Sequence, residues 1–554
     1  YEAALARLED RWRGQGQGGE GLVDGEHPFA TDLDLMGEGS LFELLCQARS
    51  RAGERTLARW LLSPHQRADG EEDDFLSRLG ARTAAVAALR DAVDVREHLA
   101  LVARGVRAEV EPDRLQTWGE APRALPQSLA LWIALWIPAL ATPTALALAL
   151  AGTLPWTPFL ILLAVEGAIY RIFGARVERV VSEVDTSGRQ LKVVASVLSL
   201  LEAQRFSAPR LRTLQDRLQA EGVRASESVA ALDRRLVWLE AMKNPMVAPL
   251  GFLLLWPLHM GAAVERWRLR YGGQIRVWFQ TLGELEAIYS LAGYAYDHPE
   301  DPFAELVALD RAEGDVSGAG ARLEGEALRH PLMAKGRCVA NDIVLVGLSA
   351  ASTASAPLTD GDSDAAVWMV SGSNMSGKST YLRTVGSNVA LALLGAPVAA
   401  RRLRLTPLAL GATLRIQDSL HDGRSRFFAE VRRLKLLMDS ARDPTSPPLL
   451  FLLDELLHGT NSQDRQTGAF AILSRYVAEG GIGLVTTHDL ALGAQEAKLP
   501  WLANRHFTDA VAEGKMDGET VREEDALSFD YRLRDGRLEG SNALALMRAV
   551  GLDV

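Results

Sequence analysis

Cysteine is almost absent from this chain, with only Cys46 and Cys338 among 554 residues. They have no CxxC or CxxH spacing, so they provide neither a zinc site nor a disulfide framework, which fits a reducing interior. Net positive charge is missing as well. Sixty Lys and Arg against 71 Asp and Glu leave a formal charge of −11. No global positive field therefore draws the protein to nucleic acid or anionic lipid, and any DNA contact has to be local. The first position is Tyr1 rather than Met, and no targeting segment is visible. The most telling absence is local: no charged residue occurs between Arg123 and Glu166, a stretch of 42 positions.

That stretch is long enough for two passes of roughly 20 apolar residues each. A span from Leu129 to Leu150 and another from Pro155 to Ile172, joined by GTLPWTP, read as a two-helix transmembrane hairpin over 129–172. Trp132, Trp136 and Trp156 are candidate interfacial aromatics. Arg123 lies before the pair and Arg171, Arg176 and Arg179 follow it, which puts both flanks on the cytoplasmic side. The alternative is a buried helical hairpin in a cytoplasmic protein, favoured by Pro138, Pro143 and the lone Glu166. A lone acid suits a lipid edge or helix packing better than a proton relay. A third apolar run, MVAPLGFLLLWPLHM at 246–260, is short for a span and reads as core or re-entrant.

What is present divides the chain into three. Residues 1–36 combine a short amphipathic helix with the Gly-rich GQGQGGEG, whose composition suits a linker. From 37 to 315 apolar residues recur at three- and four-residue spacing, predicting an all-α core and lever region that carries the hairpin. The charges between Gly174 and Lys243 nearly balance, so a solvated helical face is the default there and a DNA-gripping stripe the alternative. After a Gly-rich boundary near 313–320, the runs CVANDIVLV, AAVWMV, LLFLL and GIGLVTTH alternate with helical segments. Residues 316–554 are accordingly expected to form an α/β P-loop domain, a mostly parallel sheet with helices on both faces.

Within that domain, Gly372-x-x-x-x-Gly377-Lys378-Ser379 falls between a predicted strand and a predicted helix, the context a P-loop requires. The amides of Gly372, Ser373, Asn374, Met375, Ser376 and Gly377 would surround phosphate oxygens, with Lys378 supplying a positive charge. Ser379 would ligate Mg²⁺ with Thr380 alongside. LLFLLDE ends a buried strand on Asp454, which would hold the metal, and Glu455, which would orient or deprotonate the attacking water. His488 ends another apolar strand, where it would sense the terminal phosphate. These residues read as an ATP- and Mg²⁺-dependent hydrolase with Lys378, Glu455 and His488 as catalytic groups.

The succession SGSNMSGKSTYLR, GRSRFFAEVRRLK, LLFLLDELLHGTNSQDR, VTTHDL and SNALALMRAVGL resembles the ATPase domain of the MutS family over about residues 325–554. Asn374 and Met375 are a mark of that family. LRHP at 328–331 and AND at 340–342 resemble the start of its domain, and Asn341 is carried over as nucleotide-contacting. The resemblance implies a homodimer in which Gly459-Thr460-Asn461-Ser462 of one copy completes the other's site. A Gly-Asn turn capping the next helix fits the same residues. Ser425, Phe427 and Glu430 fall on a second near-site segment, where Arg424 and Arg426 are either phosphate-facing or solvated. The departures are a missing Gly-x-Phe-x-Glu mismatch wedge before residue 320, Cys338 where the family often stacks an aromatic on adenine, unusual His458 and Arg465, and the apolar hairpin. The resemblance implies DNA repair or recombination through nucleotide-driven dimer rearrangement. The alternatives are a membrane-anchored ATPase switch or scaffold that never touches DNA, and a transporter, for which two spans are few.

Overall fold

The computed structural model describes residues 2–23, 27–66, 74–102, 112–126, 128–185, 188–220, 222–242, 244–309, 320–348, 365–373, 375–414, 426–457, 462–487, 499–511 and 527–538. These form two units. One, an α/β unit, gathers 1–46, 58–90 and 291–554; the other, almost wholly helical, comprises 47–57 and 91–290.

Six strands make the main sheet of the α/β unit: β1 Val367–Ser371, β2 Ala409–Thr413, β3 Leu449–Leu453, β4 Ile482–Thr487, β5 Leu502–Val511 and β6 Leu527–Asp535, in the order β6-β5-β1-β4-β3-β2. All neighbours are parallel except the β5–β6 pair. Strands β1, β3 and β4 are buried along their full length, as expected of a parallel sheet covered on both faces. Among the described residues three helices lie in this part of the unit: α1 Lys378–Leu394, α2 Arg426–Ala441 and α3 Ser462–Ala478. The pleat sorts them. On β3, Leu452 meets Gly386 of α1 while Phe451 packs at a tilt on Tyr476 of α3 with centroids 5.1 Å apart, so α1 and α3 cover opposite faces. Tyr476 also donates its hydroxyl to the Leu434 carbonyl of α2, tying α2 to α3. A second, four-stranded sheet contains Glu305–Leu306, Arg402–Leu405, Arg322–Leu328 and Asn341–Val346.

The expected Gly-rich linker is instead packed into the α/β unit. Glu43 accepts the amides of Gly16 and Gly39, and Gly37 donates to the Gly18 carbonyl. A Cβ on Gly18 would stand 2.8 Å from the Gly37 backbone, so the glycine is needed for close approach rather than for freedom. Beyond it Leu33 is 0 % exposed against Gly386 and Leu452, and Ala412 of the edge strand β2 donates to the Pro28 carbonyl. Asp32 is buried; its carboxylate accepts from Arg433 at 2.7 Å and from the Leu414 amide at 2.8 Å. The helix Phe75–Arg90 also joins this unit, with Leu79 and Thr83 beside Gly395, although periodicity alone grouped it with the helical region. Periodicity reports that a face is apolar and leaves its partner open.

The helical unit holds the apolar hairpin, helices Leu129–Ala134 and Trp136–Leu150 followed by the 30-residue Trp156–Asp185. Its root is fixed by a buried pair. Arg268 makes two bonds to Glu265, at 2.8 and 2.9 Å, and donates to the carbonyls of Trp118, Ala121 and Pro122, while Glu265 accepts the Ala124 amide. Above this, Leu125, Trp132, Leu135, Ala139, Val177, Leu255, Leu258 and Ala262 form one apolar cluster. Trp132 therefore belongs to that core, with its indole N–H on the Pro126 carbonyl, and is no interfacial aromatic; Trp136 and Trp156 are exposed. Farther out the hairpin is bare: of the apolar windows in Leu129–Leu150 and Trp156–Ser182 only 28 % and 6 % is buried. Glu166 is fully buried beside Thr142.

Removing one partner of a buried pair costs about 3 kcal/mol or more. Asp32→Ala should thus lower the unfolding free energy of the α/β unit by about 3 kcal/mol in chemical denaturation, and a loss under about 1 kcal/mol would show that the N-terminal strap is not held this way.

Candidate nucleotide site

The parallel register brings the chemistry to one edge. Ser371, the last residue of β1, pairs with Thr487 on β4, and Val485 of β4 pairs with Leu453 of β3. The described chain leaving these strands is the loop from Gly372 and the acids Asp454 and Glu455, both at the carboxyl edge where open α/β sheets take ligands.

The loop bends through backbone few residues adopt, with Gly372 at φ 154°, Met375 at φ 72° and Gly377 at φ 98°. Gly377 immediately precedes α1, so the first amides of that helix face the bend. Ser376 ties the loop by donating to the Ser373 carbonyl at 2.9 Å. Lys378 is only 5 % exposed; its ammonium donates to the carbonyls of Gly372 and Ser373 at 2.8 and 2.7 Å, holding a positive charge inside the loop.

Ser379, one residue on, donates its hydroxyl to Oδ2 of Asp454 at 2.5 Å. The other oxygen, Oδ1, accepts the hydroxyl of Thr486 from β4. Thr486 in turn accepts the amide of Glu455 at 3.0 Å, and the Asp454 amide donates to the Thr413 carbonyl at 2.9 Å. The acid pair is therefore fixed from helix α1 and from strands β4 and β2. Glu455 itself sits at φ 51° and Leu457 at φ 57°, a strained turn that Glu430 of α2 supports by accepting the Leu457 amide at 2.6 Å. The buried Glu430 thus reaches the acid turn, while Phe427, also on α2, is partly exposed.

These groups open onto a cleft of about 530 Å³ lined by Met375, Gly377, Lys378, Ser379, Thr380 and Glu455 on one side and by Met333, Cys338, Val339, Asn341 and Tyr531 on the other. A volume in this range suits a small organic ligand. The far wall carries Met333, Cys338, Val339 and Tyr531 together with the polar Asn341 and Arg337, and the near one is charged, an arrangement that suits a molecule with a flat base and a polyanionic tail.

The family model for MutS domain V matches residues 368–553. "DNA mismatch repair protein MutS 2" of Halobacterium salinarum is 29 % identical over 273 residues, 48 % of this chain and 27 % of that protein. "DNA mismatch repair protein MutS" of Thermotoga petrophila is 28 % identical over 234 residues, 42 % of this chain and 26 % of its own. "DNA mismatch repair protein Msh6" of Gallus gallus is 33 % identical over 205 residues, covering 36 % and 14 %. Residues 368–553 are thus a domain of the MutS family. The chain spans roughly a quarter or less of the length of the curated relatives it matches.

Several expected positions in this MutS domain lie outside the described residues: Asn374, Arg424, Ser425, the loop His458 to Asn461, and His488. Ser462 is described only as the first residue of α3. Asn341 lines the cleft, but its amide is engaged with the β6 backbone, Nδ2 donating to the Tyr531 carbonyl at 3.0 Å and Oδ1 accepting the Leu533 amide at 2.7 Å. Cys338 also lines the cleft, its sulfur accepting the His330 amide at 3.1 Å. Two residues escaped sequence reasoning. Thr486 was one of two adjacent threonines, and only the strand's pleat decides which one meets Asp454. Tyr531 lies over the loop, its ring 3.1 Å from where a Cβ on Gly377 would be, and nothing in the sequence marks it.

His330 is buried behind this wall, and its ring accepts the Leu332 amide at 3.2 Å. Burial first, then the Arg383 charge, lowers its pKa from the ordinary 6.5 to about 4. Folded His330 therefore stays neutral where the unfolded residue takes a proton, so its stabilisation is complete above pH 6.5 and is lost as pH falls toward about 4. Thermal unfolding followed across that window should give a steeper fall for the native chain than for His330→Gln; parallel curves would contradict the assignment.

Proposed function

We propose that this chain is a Mg²⁺-dependent ATP hydrolase of the MutS type, held at the cytoplasmic face of a membrane by the hairpin 129–172. The observation that carries the hydrolase is the bond from Ser379 to Asp454 beside the buried Lys378 ammonium. A hydroxyl and a carboxylate oxygen side by side, with a second hydroxyl orienting the carboxylate, are a hard-oxygen donor set that suits Mg²⁺. The fit supports Ser379 and Asp454 as its holders. When bound, the ion supplies charge neutralisation to the terminal phosphates.

The chain's own groups then have separate tasks. Loop amides from Ser373 to Gly377 and the start of α1 bind phosphate oxygens, and Lys378 exchanges its two carbonyl contacts for the anion. Glu455 takes or orients the proton of the attacking water, with Thr486 fixing its backbone. His488 is assigned to the terminal phosphate. Met333, Cys338, Val339 and Tyr531 offer the base a wall of sulfur, aliphatic and aromatic atoms, in place of the single aromatic the family often uses. Charge stabilisation and positioning, without a covalent intermediate, carry such a reaction.

We further infer a homodimer completed by Gly459 to Ser462, with nucleotide state driving rearrangement of the helical region on DNA. The naming of relatives as DNA mismatch repair proteins supports the DNA role. The formal charge of −11 and the absent wedge favour instead a membrane-anchored switch without DNA. For the membrane, the supporting observation is exposure: a core hairpin of a water-soluble protein would be mostly buried, whereas these windows are 28 % and 6 % buried.

Lys378→Ala should abolish ATP turnover, and Glu455→Gln should keep ATP binding while slowing hydrolysis at least about 100-fold, the usual worth of a general base. Native turnover in purified Glu455→Gln would remove that residue from the mechanism. Turnover stimulated by duplex or branched DNA, with affinity falling steeply as salt rises, supports the DNA role; indifference to every DNA supports the switch.

A further inference from the structure

The exposed apolar surface of the helical unit does not end with the hairpin. The helices Ala225–Ala241 and Trp256–Tyr271 run antiparallel, and the segment joining them, with the short helix Ala248–Leu253, forms an apex against the hairpin. Contact is by rings: Tyr170 meets Phe252 at 5.4 Å, Trp136 stacks on His259 at 4.1 Å, and Trp238 meets Trp256 at 5.7 Å. The outward side of the apex carries Val237, Trp238, Val247 and Leu250, all exposed, and Met246 at 89 %. Leu255, at φ 49°, breaks the chain and turns it back, so the apex ends in a reversal rather than a continuing helix.

The height of the apex along the hairpin is set by those ring pairs. The helix partner Tyr170 stands six residues before Arg176, about 9 Å along a helix. The 22 residues of Leu129–Leu150 reach about 33 Å, the thickness of a hydrocarbon layer with little to spare. With Arg171, Arg176 and Arg179 marking the cytoplasmic boundary, the apex falls within the first third of the bilayer and not at its middle. Its composition agrees. The apex mixes two tryptophans and aliphatic side chains with Glu240 and Asn244, which a hydrocarbon interior does not tolerate but a headgroup zone does. Just below lie Arg234, Arg235 and Arg266; burial first, then the charges of Arg234 and Arg266, lowers the pKa of Arg235 against a smaller opposing effect of Tyr271, so three cations lie close together there. Anionic phosphate headgroups would relieve that repulsion.

We propose that residues 237–256 form a second membrane element, a wedge that lodges in the headgroup and upper acyl region of the cytoplasmic leaflet beside the hairpin. It rests on the hairpin reading and adds a shallow contact that couples the two long helices Ala225–Ala241 and Trp256–Tyr271 to the lipid surface. The occupant is the bilayer, because the apolar surface is continuous with that of the hairpin and the cations lie at its polar margin.

The test uses the full chain, with Cys46 and Cys338 replaced by alanine, reconstituted into phosphatidylcholine–phosphatidylglycerol vesicles. A polarity-sensitive fluorophore is placed at Met246→Cys or Leu250→Cys, both exposed, and separately at Leu148→Cys in the hairpin. The wedge predicts blue-shifted emission at 246 and 250, quenched more by nitroxides high on the acyl chain than by deep ones, and deep burial at 148. Water-like emission at 246 and 250 with 148 still buried would overturn the wedge and leave the hairpin standing. Water-like emission at all three would remove both. Deep quenching at 246 would mean a full crossing instead, and shielding from iodide without lipid quenching, with disulfide formation between Met246→Cys chains, would mean that a second copy covers the surface.

Discussion

A single carboxylate organises the C-terminal half of this chain. Asp454 accepts one hydroxyl from Ser379 at the head of α1 and another from Thr486 on β4, while its own amide is held by Thr413 on β2. Those three contacts require β1 to β4 to end at the same level, which parallel pairing in the observed register provides. The register in turn requires strands buried on both faces, and hence the apolar runs that read so plainly. Local sequence, sheet topology and chemistry therefore depend on one another: a slip of one residue in β3 would point Asp454 away from the loop.

The N-terminal strap and the second sheet extend that arrangement. Asp32 fixes the Leu414 amide next to Thr413, so the end of β2 is braced from outside the sheet. Asn341 pins β6 across the cleft and keeps Tyr531 over Gly377. Much of what surrounds the site thus holds it in shape, leaving few groups for the chemistry itself. The helical unit faces the opposite demand. Its hairpin has a well-packed root, clamped by Arg268 and Glu265, and an outer part most of whose side chains are exposed. In water such a surface would drive association; in a bilayer it is the stable state.

How much of this was legible depended on which faces of each element are covered. LLFLL and GIGLVTT announced themselves because both faces of β3 and β4 are buried. By contrast β5 and β6, with Arg505, His506, Arg532 and Arg534, lie toward the open side of the sheet, where charge interrupts the pattern. The loop and the acids were readable because a tight phosphate cradle admits few residues. Thr486 and Tyr531 were not, since their parts depend on strand pleat and on a contact across roughly 150 residues of sequence. Glycine misled at residues 14–21, where close packing and flexibility leave the same composition.

In the proposed site Ser379 and Asp454 share one divalent ion with a bound triphosphate. Electron paramagnetic resonance of Mn²⁺ added with ATP to the full chain addresses it directly. The native chain should bind Mn²⁺ with phosphorus couplings, and the binding should be lost when Asp454→Asn and Ser379→Ala are combined. An unchanged bound spectrum in that double variant would put the metal elsewhere and contradict the account.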